Sequence, residues 1–313
     1  MPFLVALATF AADALWHAAT GLQVPGPPRY PLPVEAVATD GRFVEIDGRR
    51  YHVVEWGAGP PLVFLHGFLS DAYVWRPVAG RLFDQFRCIA VDLPGFGLSA
   101  KGPDIPRGAR ARAQWLARTL DALDVGRAVL VGASLGGQTA LALAAHDVAR
   151  VARLVLIASM LDSPPPQVRV PRRLFPAVVR AFQPTLFSRR WIDRRQRQQA
   201  FRPAAIPGGR LDELYRQTQT DGFLEGILEG YVFAPSEDLW GDVPRVAAPT
   251  LIVWGDHDAT VPIAQGLRLA REHVDARLVV IPCARHSVQL DRPDLLAEKI
   301  RAFVLEPSGA TEG

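Results

Sequence analysis

Residues 128–137 read Ala128-Val129-Leu130-Val131-Gly132-Ala133-Ser134-Leu135-Gly136-Gly137. Four apolar residues run into a Gly-x-Ser-x-Gly pentad, and a helix pattern from Leu135 to about Ala145 follows. A short, fully apolar run suits a strand buried on both faces. A serine turned sharply between strand and helix takes a strained backbone conformation, which needs small residues two positions to either side. Gly132 and Gly136 stand there. Such a turn lifts the Ser134 hydroxyl above the sheet. It also sets the hydroxyl beside a helix N-terminus, where the amide of Leu135 can stabilise an anion. The other reading of the pentad is a phosphate-binding turn, but the P-loop lysine and the dinucleotide glycine spacing are both missing.

Outward from the pentad the chain alternates strand and helix. Arg42–Ile46 and Tyr51–Trp56 are predicted strands joined at Asp47-Gly48. Leu62–Leu65, Cys88–Val91, Ala128–Val131 and Leu154–Ile157 are short apolar runs, with a helix predicted over about Arg110–Leu123. The alternation stops near Leu161 and resumes with Thr250–Trp254, a helix at about Ile263–His273, a strand at Arg277–Ile281 and a helix at Pro293–Val304. This predicts an α/β fold with a doubly wound, mostly parallel sheet. The expected organisation has five parts: an apolar segment and Pro-rich linker (1–33), a first part of the core (34–161), a helical cap insertion (162–244), a second part of the core (245–306) and a tail (307–313).

A serine hydroxyl near neutral pH needs a base. Of seven histidines, His286 lies just past the last predicted strand, so its loop opens at the carboxyl edge where ligands bind in open α/β sheets. The base needs an orienting carboxylate, and Trp254-Gly255-Asp256-His257-Asp258 follows the preceding strand onto the same edge. The order is then Ser, Asp, His, each after a strand, which is one of three known orders for this chemistry. A second oxyanion donor is expected from the loop after Leu62–Leu65, through the backbone amide of Phe68, with His66 and Gly67 supporting that loop. The other reading of His66 is a satisfied buried histidine.

Five stretches now bear comparison with known families: His66-Gly67-Phe68; Asp92-Leu93-Pro94-Gly95-Phe96-Gly97-Leu98-Ser99; Gly132-Ala133-Ser134-Leu135-Gly136-Gly137; Trp254-Gly255-Asp256-His257-Asp258 with Val261-Pro262; and His286 with Asp291-Arg292-Pro293. Over about residues 42–306 the sequence resembles the α/β-hydrolase superfamily, in the branch of serine esterases and lipases with a helical cap (monoacylglycerol-lipase-like). The resemblance implies Asp258 rather than Asp256 as the acid, because the family's acid usually stands three residues after the glycine. Asp162 is an alternative position used by some relatives. Serine at position 134 speaks against the relatives with an aspartate nucleophile, epoxide hydrolases and haloalkane dehalogenases. Arg285 departs from the glycine often found before the histidine.

The implied activity is hydrolysis of carboxylic esters with apolar acyl chains through an acyl-enzyme, without metal or organic cofactor. The alternatives are a carbon–carbon bond hydrolase of the same fold and a non-catalytic ligand-binding protein. No Cys/His cluster has metal-ligand spacing, and Cys88 and Cys283 are expected to be two buried thiols rather than a disulfide. The formal net charge is +3, and of 35 basic residues only Lys101 and Lys299 are lysine. No zinc-finger or aromatic-basic motif points to nucleic acid.

Two stretches raise the question of membranes. Pro2–Trp16 is almost wholly apolar, too short to span a bilayer, and the first basic side chain apart from histidine is Arg29, which argues against a secretory signal. It is expected either to pack on the protein or to lie in a membrane interface, with a cleaved signal peptide as the third reading. Residues 169–202 carry ten arginines from Arg169 to Arg202 against one acid, Asp193, with aromatic residues between them. A solvated helix face paired with Asp212, Glu213, Asp221, Glu225 and Glu229 is the preferred reading. Contact with an anionic membrane surface is the other, and the apolar N-terminus adds weight to it. The expected location is cytoplasmic, with peripheral membrane contact as an open option.

Overall fold

The computed structural model describes residues 40–162, 187–206, 208–232 and 234–307, together with Val34 and Val37. Its eight strands are β1 (Arg42–Ile46), β2 (Arg49–Trp56), β3 (Pro61–Leu65), β4 (Arg87–Val91), β5 (Ala128–Ala133), β6 (Val151–Ile157), β7 (Thr250–Gly255) and β8 (Ala276–Ile281). They form one sheet in the order β1-β2-β4-β3-β5-β6-β7-β8. The pairs β1–β2 and β2–β4 are antiparallel. From β4 to β8 every pairing is parallel.

The described α-helices are α1 (Arg76–Ala79), α2 (Gly108–Ala122), α3 (Leu135–His146), α4 (Arg189–Gln199), α5 (Gly208–Thr218), α6 (Phe223–Ile227), α7 (Ile263–Glu272), α8 (Val288–Asp291) and α9 (Pro293–Leu305). After β3 the chain steps outward to β4, and after β5 it steps the other way to β6. The sheet therefore has its topological switch between β3 and β5, where Leu65 pairs with Gly132. Loops leaving the two strands diverge there and open a crevice at the carboxyl edge.

The packing follows from the apolar runs. All six residues of β5 are buried, as are all six of β7. Helix α3 is buried from Leu135 to Ala145; its run of Gly and Ala lets it lie close against β5 and β6. At the sheet's edge β8 is only partly covered. Boundaries differ from the sequence reading mainly at strand starts. β2 begins at Arg49 and β6 at Val151, because ladder pairing extends strands through polar residues that break an apolar run.

Cys88 is a buried free thiol, as expected, but Cys283 is half-buried. It sits in the turn after β8 with φ +55°, so the apolar run around it ends before the cysteine. The N-terminal segment 1–33, the arginines from Arg169 to Arg180 and residues 308–313 lie outside the described residues. Among the described residues no helix is long and apolar enough to cross a membrane.

Candidate active site

Ser134 joins β5 to α3 with φ +51° and ψ −112°, a conformation that costs a non-glycine residue about 1–3 kcal/mol. Its surroundings hold it there. The Ser134 amide donates to Ile157 O at 2.8 Å, and its carbonyl accepts from Gly137 N at 3.0 Å. A Cβ on Gly136 would stand 2.2 Å from Leu65 O, and one on Gly132 would stand 2.6 Å from Gly136 O. Only glycine lets the turn pass this close to β3. The amides of Leu135 and Phe68 donate no hydrogen bond among the described residues. Gly67 lies against the Ser134 side chain, 3.4 Å from its Cβ to a Cβ built on the glycine. The free amide of Phe68 is therefore one residue from the serine's neighbour.

His286 follows β8, and its ring Nδ1 is 2.9 Å from Asp258 Oδ2. The Asp258 side chain is 1% exposed and that of His286 is 11% exposed. The other carboxylate oxygen of Asp258 accepts from the amides of Thr260 at 2.7 Å and Val261 at 3.0 Å. Both oxygens are thus committed, and the carboxylate faces the imidazole in one orientation. Nδ1 must carry a proton to meet a carboxylate, which leaves Nε2 free to accept one. The helix after this loop, α8, packs against the turn Ala72–Trp75 that follows β3, so the His286 loop reaches back over the edge toward the β3–β5 switch. No described hydrogen bond joins Ser134 Oγ to His286; such contacts tighten when substrate arrives.

Asp256 has a different environment. It accepts from the amides of Cys283 and Ala284, both at 3.1 Å, and bonds the neighbouring His257 ring, so it braces the loop leading to His286. Asp162 accepts from the Gln265 side chain. The Arg285 amide donates to Asp291 Oδ2 at 2.9 Å, while the other oxygen of Asp291 holds the Phe201 amide at 2.7 Å. Arg285 turns its side chain out to Gln198 O, so a bulky residue fits where glycine is common.

Beneath the crevice lies a polar network of which the sequence had marked His66, as support for the loop after β3 or as a satisfied buried histidine. His66 is buried; its Nδ1 meets Gly67 O at 2.7 Å and its Nε2 accepts from the Leu93 amide at 3.0 Å. That pairing requires the neutral ring, and burial lowers its pKa. Asp92, also buried, accepts from Ala72 N at 2.6 Å, Leu98 N at 2.8 Å and His52 Nδ1 at 2.9 Å. Burial opposes a charged His52, but the Asp92 hydrogen bond and charge outweigh it and raise its pKa. Both oxygens of Asp71 accept from one terminal nitrogen of the Arg210 guanidinium, at 2.6 and 2.8 Å, and Glu213 accepts from the same nitrogen at 3.5 Å. This ties α5 to the loop after β3. For the rest of the network the sequence signal was Asp92, within a quoted family stretch.

The arginines near α4 and α5 are partly paired as expected. Arg189 reaches Asp212, one of the expected acids, at 2.6 Å, whereas Arg197 reaches Asp193 on its own helix at 2.8 Å. Among the described residues no group of three or more His, Cys, Asp or Glu side chains is placed to hold a metal ion.

Comparison with known proteins follows the same lines. The model of the alpha/beta hydrolase fold family matches residues 60–293. The chain is 28% identical over 280 residues to the uncharacterized hydrolase YugF of Bacillus subtilis, covering 87% of this chain and 100% of that one. It is 30% identical over 275 residues to a 2-hydroxy-6-oxononadienedioate/2-hydroxy-6-oxononatrienedioate hydrolase of Burkholderia vietnamiensis, covering 82% of this chain and 90% of the relative. Among solved structures it resembles a thermophilic esterase from Thermogutta terrifontis with malate bound, at 25% identity and TM-score 0.68, covering 85% of this chain and 98% of that one.

Proposed function

The chain belongs to the alpha/beta hydrolase family and is a hydrolase, and on that premise we propose that it cleaves carboxylic esters through Ser134, His286 and Asp258. The observation that carries this reading is the doubly anchored Asp258 carboxylate 2.9 Å from His286 Nδ1, on the same sheet edge as the strained Ser134. In the proposed cycle His286 Nε2 takes the Ser134 proton as Oγ attacks the ester carbonyl. The amides of Phe68 and Leu135 receive the oxyanion. The imidazolium, stabilised by Asp258, then protonates the leaving alcohol. Water, activated by His286, releases the acid from the acyl-enzyme. Every proton passes between the serine, the histidine, the substrate and that water, so the cycle needs no cofactor.

Residues 162–244 serve as the cap in this proposal. A cleft with Leu69, Phe187, Trp191, Ile192, Leu214 and Phe223 on its walls supports an apolar acyl group as the bound part of the substrate. Peripheral membrane contact through residues 2–16 belongs to the same proposal and rests on sequence alone. The test is hydrolysis of p-nitrophenyl esters from acetate to palmitate by the wild type and Ser134→Ala. The wild type should cleave a middle range of chain lengths, and Ser134→Ala should lose at least about a thousandfold. If a folded wild type cleaves no ester but does cleave a vinylogous ketone, carbon–carbon hydrolysis replaces this reading. The Burkholderia vietnamiensis relative's name makes that the second candidate.

A further inference from the structure

Helix α4 carries a cation that no described residue neutralises. On the same helix Arg189 and Arg197 pair with Asp212 and Asp193 and point to solvent. Arg195 points instead into the apolar cleft, beside Phe187, Trp191 and Leu214. Its guanidinium carbon lies 5.5 Å from the Phe68 ring centroid and 5.9 Å from that of Trp191. Its Nε is buried without a hydrogen-bond partner among the described residues. Aromatic faces repay only part of what the half-buried arginine loses in hydration, and this desolvation lowers its pKa to about 10. A partly desolvated cation is stabilised when an anion meets it.

The position of the cation says where the anion would sit. Phe68, whose ring Arg195 overlies, is also the residue whose amide is the proposed oxyanion donor. An anion on Arg195 would therefore belong to the same molecule as the ester, a few bonds from its carbonyl. The chemistry of the cleft narrows the anion further. Its other polar residues include the neutral Ser70, Gln196, Gln217 and Thr218, and Arg195 is the one charged side chain among the described residues along it. A single guanidinium fork matches a carboxylate in charge and planarity, whereas a phosphate dianion calls for several cations.

We infer that Arg195 binds a carboxylate carried by the substrate, so that the preferred ester is an acid ester with an apolar chain between its two ends. This rests on the ester-hydrolase reading above and adds to it a substrate class. The test compares p-nitrophenyl hydrogen adipate with p-nitrophenyl hexanoate, equal in acyl length, in the wild type, Arg195→Met and Arg195→Lys. The wild type should favour the anionic ester. The ratio of kcat/KM for the anionic over the neutral ester should fall at least about tenfold in Arg195→Met and partly recover in Arg195→Lys. No wild-type preference, or an equal loss on both esters, overturns the inference.

A calorimetric titration of adipate into Ser134→Ala, with and without Arg195→Met, separates this idea from the one it rests on. Loss of adipate binding with Arg195→Met upholds the carboxylate site even if the wild type cleaves neither ester. Unchanged binding, no binding, or binding of inorganic phosphate in preference to adipate rejects it. Circular dichroism checks that each variant is folded.

Discussion

Replacing Asp258 by asparagine removes one charge and changes almost no volume, yet the hydrogen bonds around it make the outcome severe. One oxygen of Asp258 accepts two backbone amides, at 2.7 and 3.0 Å, and the other faces His286 Nδ1 at 2.9 Å. In the Asp258→Asn variant the side-chain oxygen must keep the two backbone donors, because turning the NH2 toward them would set donor against donor, at about 1–3 kcal/mol for each unmet group. The NH2 group then faces His286 and forces Nδ1 to be the acceptor. The proton moves to Nε2, the nitrogen that should take the proton of Ser134. A histidine locked in that tautomer cannot act as the base, and the expected loss in kcat is about 10⁴-fold, or about 5.4 kcal/mol in the barrier. KM should change little, since Asp258 is buried away from substrate. The assay is p-nitrophenyl butyrate hydrolysis as a function of pH, with urea unfolding as the control. A folded Asp258→Asn retaining more than a tenth of wild-type kcat would refute the tautomer argument and move the acid's role elsewhere.

Three further outcomes follow from the surrounding network. Asp71→Asn leaves Arg210, 5% exposed, with the Glu213 carboxylate at 3.5 Å as its remaining charged partner, and should lower the unfolding free energy by about 3 kcal/mol, the low end for breaking a buried pair; Asp71→Asn with Arg210→Met should recover part of this, and additive losses in urea titrations would contradict the pairing. Gly136→Ala places a methyl 2.2 Å from Leu65 O and should cost about 1–3 kcal/mol through displaced backbone, with a larger fractional loss of activity than of stability; a fully active variant would show that the elbow and β3 can separate freely. The His52–Asp92 pair gives a pH signature. His52 has a raised pKa, so its contribution is whole below its ordinary value of 6.5 and disappears as pH rises through the raised value. Asp92 has a lowered pKa, so its contribution is whole above 3.8 and disappears as pH falls. The stability gap between wild type and His52→Gln, read by urea unfolding, should be widest between about pH 4 and 6.5 and narrow toward pH 9; a gap independent of pH would mean that His52 is neutral in the fold.

How much was legible in the sequence depended on how local each signal was. The β5 strand, the Ser134 turn and α3 announced themselves in ten consecutive residues, because an apolar run, two glycines and a helix pattern are all short-range. His286 and Asp258 were legible for a related reason. Each follows a strand, and in a parallel sheet every strand end opens on one edge, so residues 28 positions apart could be placed together without coordinates. The separation of Asp258 from Asp256 came from family spacing. The hydrogen bonds then gave the two carboxylates different partners.

The tertiary structure alone decided the rest. Asp71 and Arg210 are 139 positions apart, and neither sits in a pattern that marks it as paired. His52 and Asp92 come from strand β2 and the end of strand β4, which are neighbours only because of the strand order. Arg195 is one arginine in a segment full of them, and no periodicity distinguishes it from Arg197 two positions on. Its position over Phe68 and the outward turn of Arg197 toward Asp193 depend on where α4 sits against the loop after β3. Local sequence encodes which backbone states are accessible and which faces are apolar, and that determined the fold and the line of strand-end residues. Desolvation and charge pairing are properties of groups brought together across the chain, and only the folded protein shows which cations found a partner and which did not.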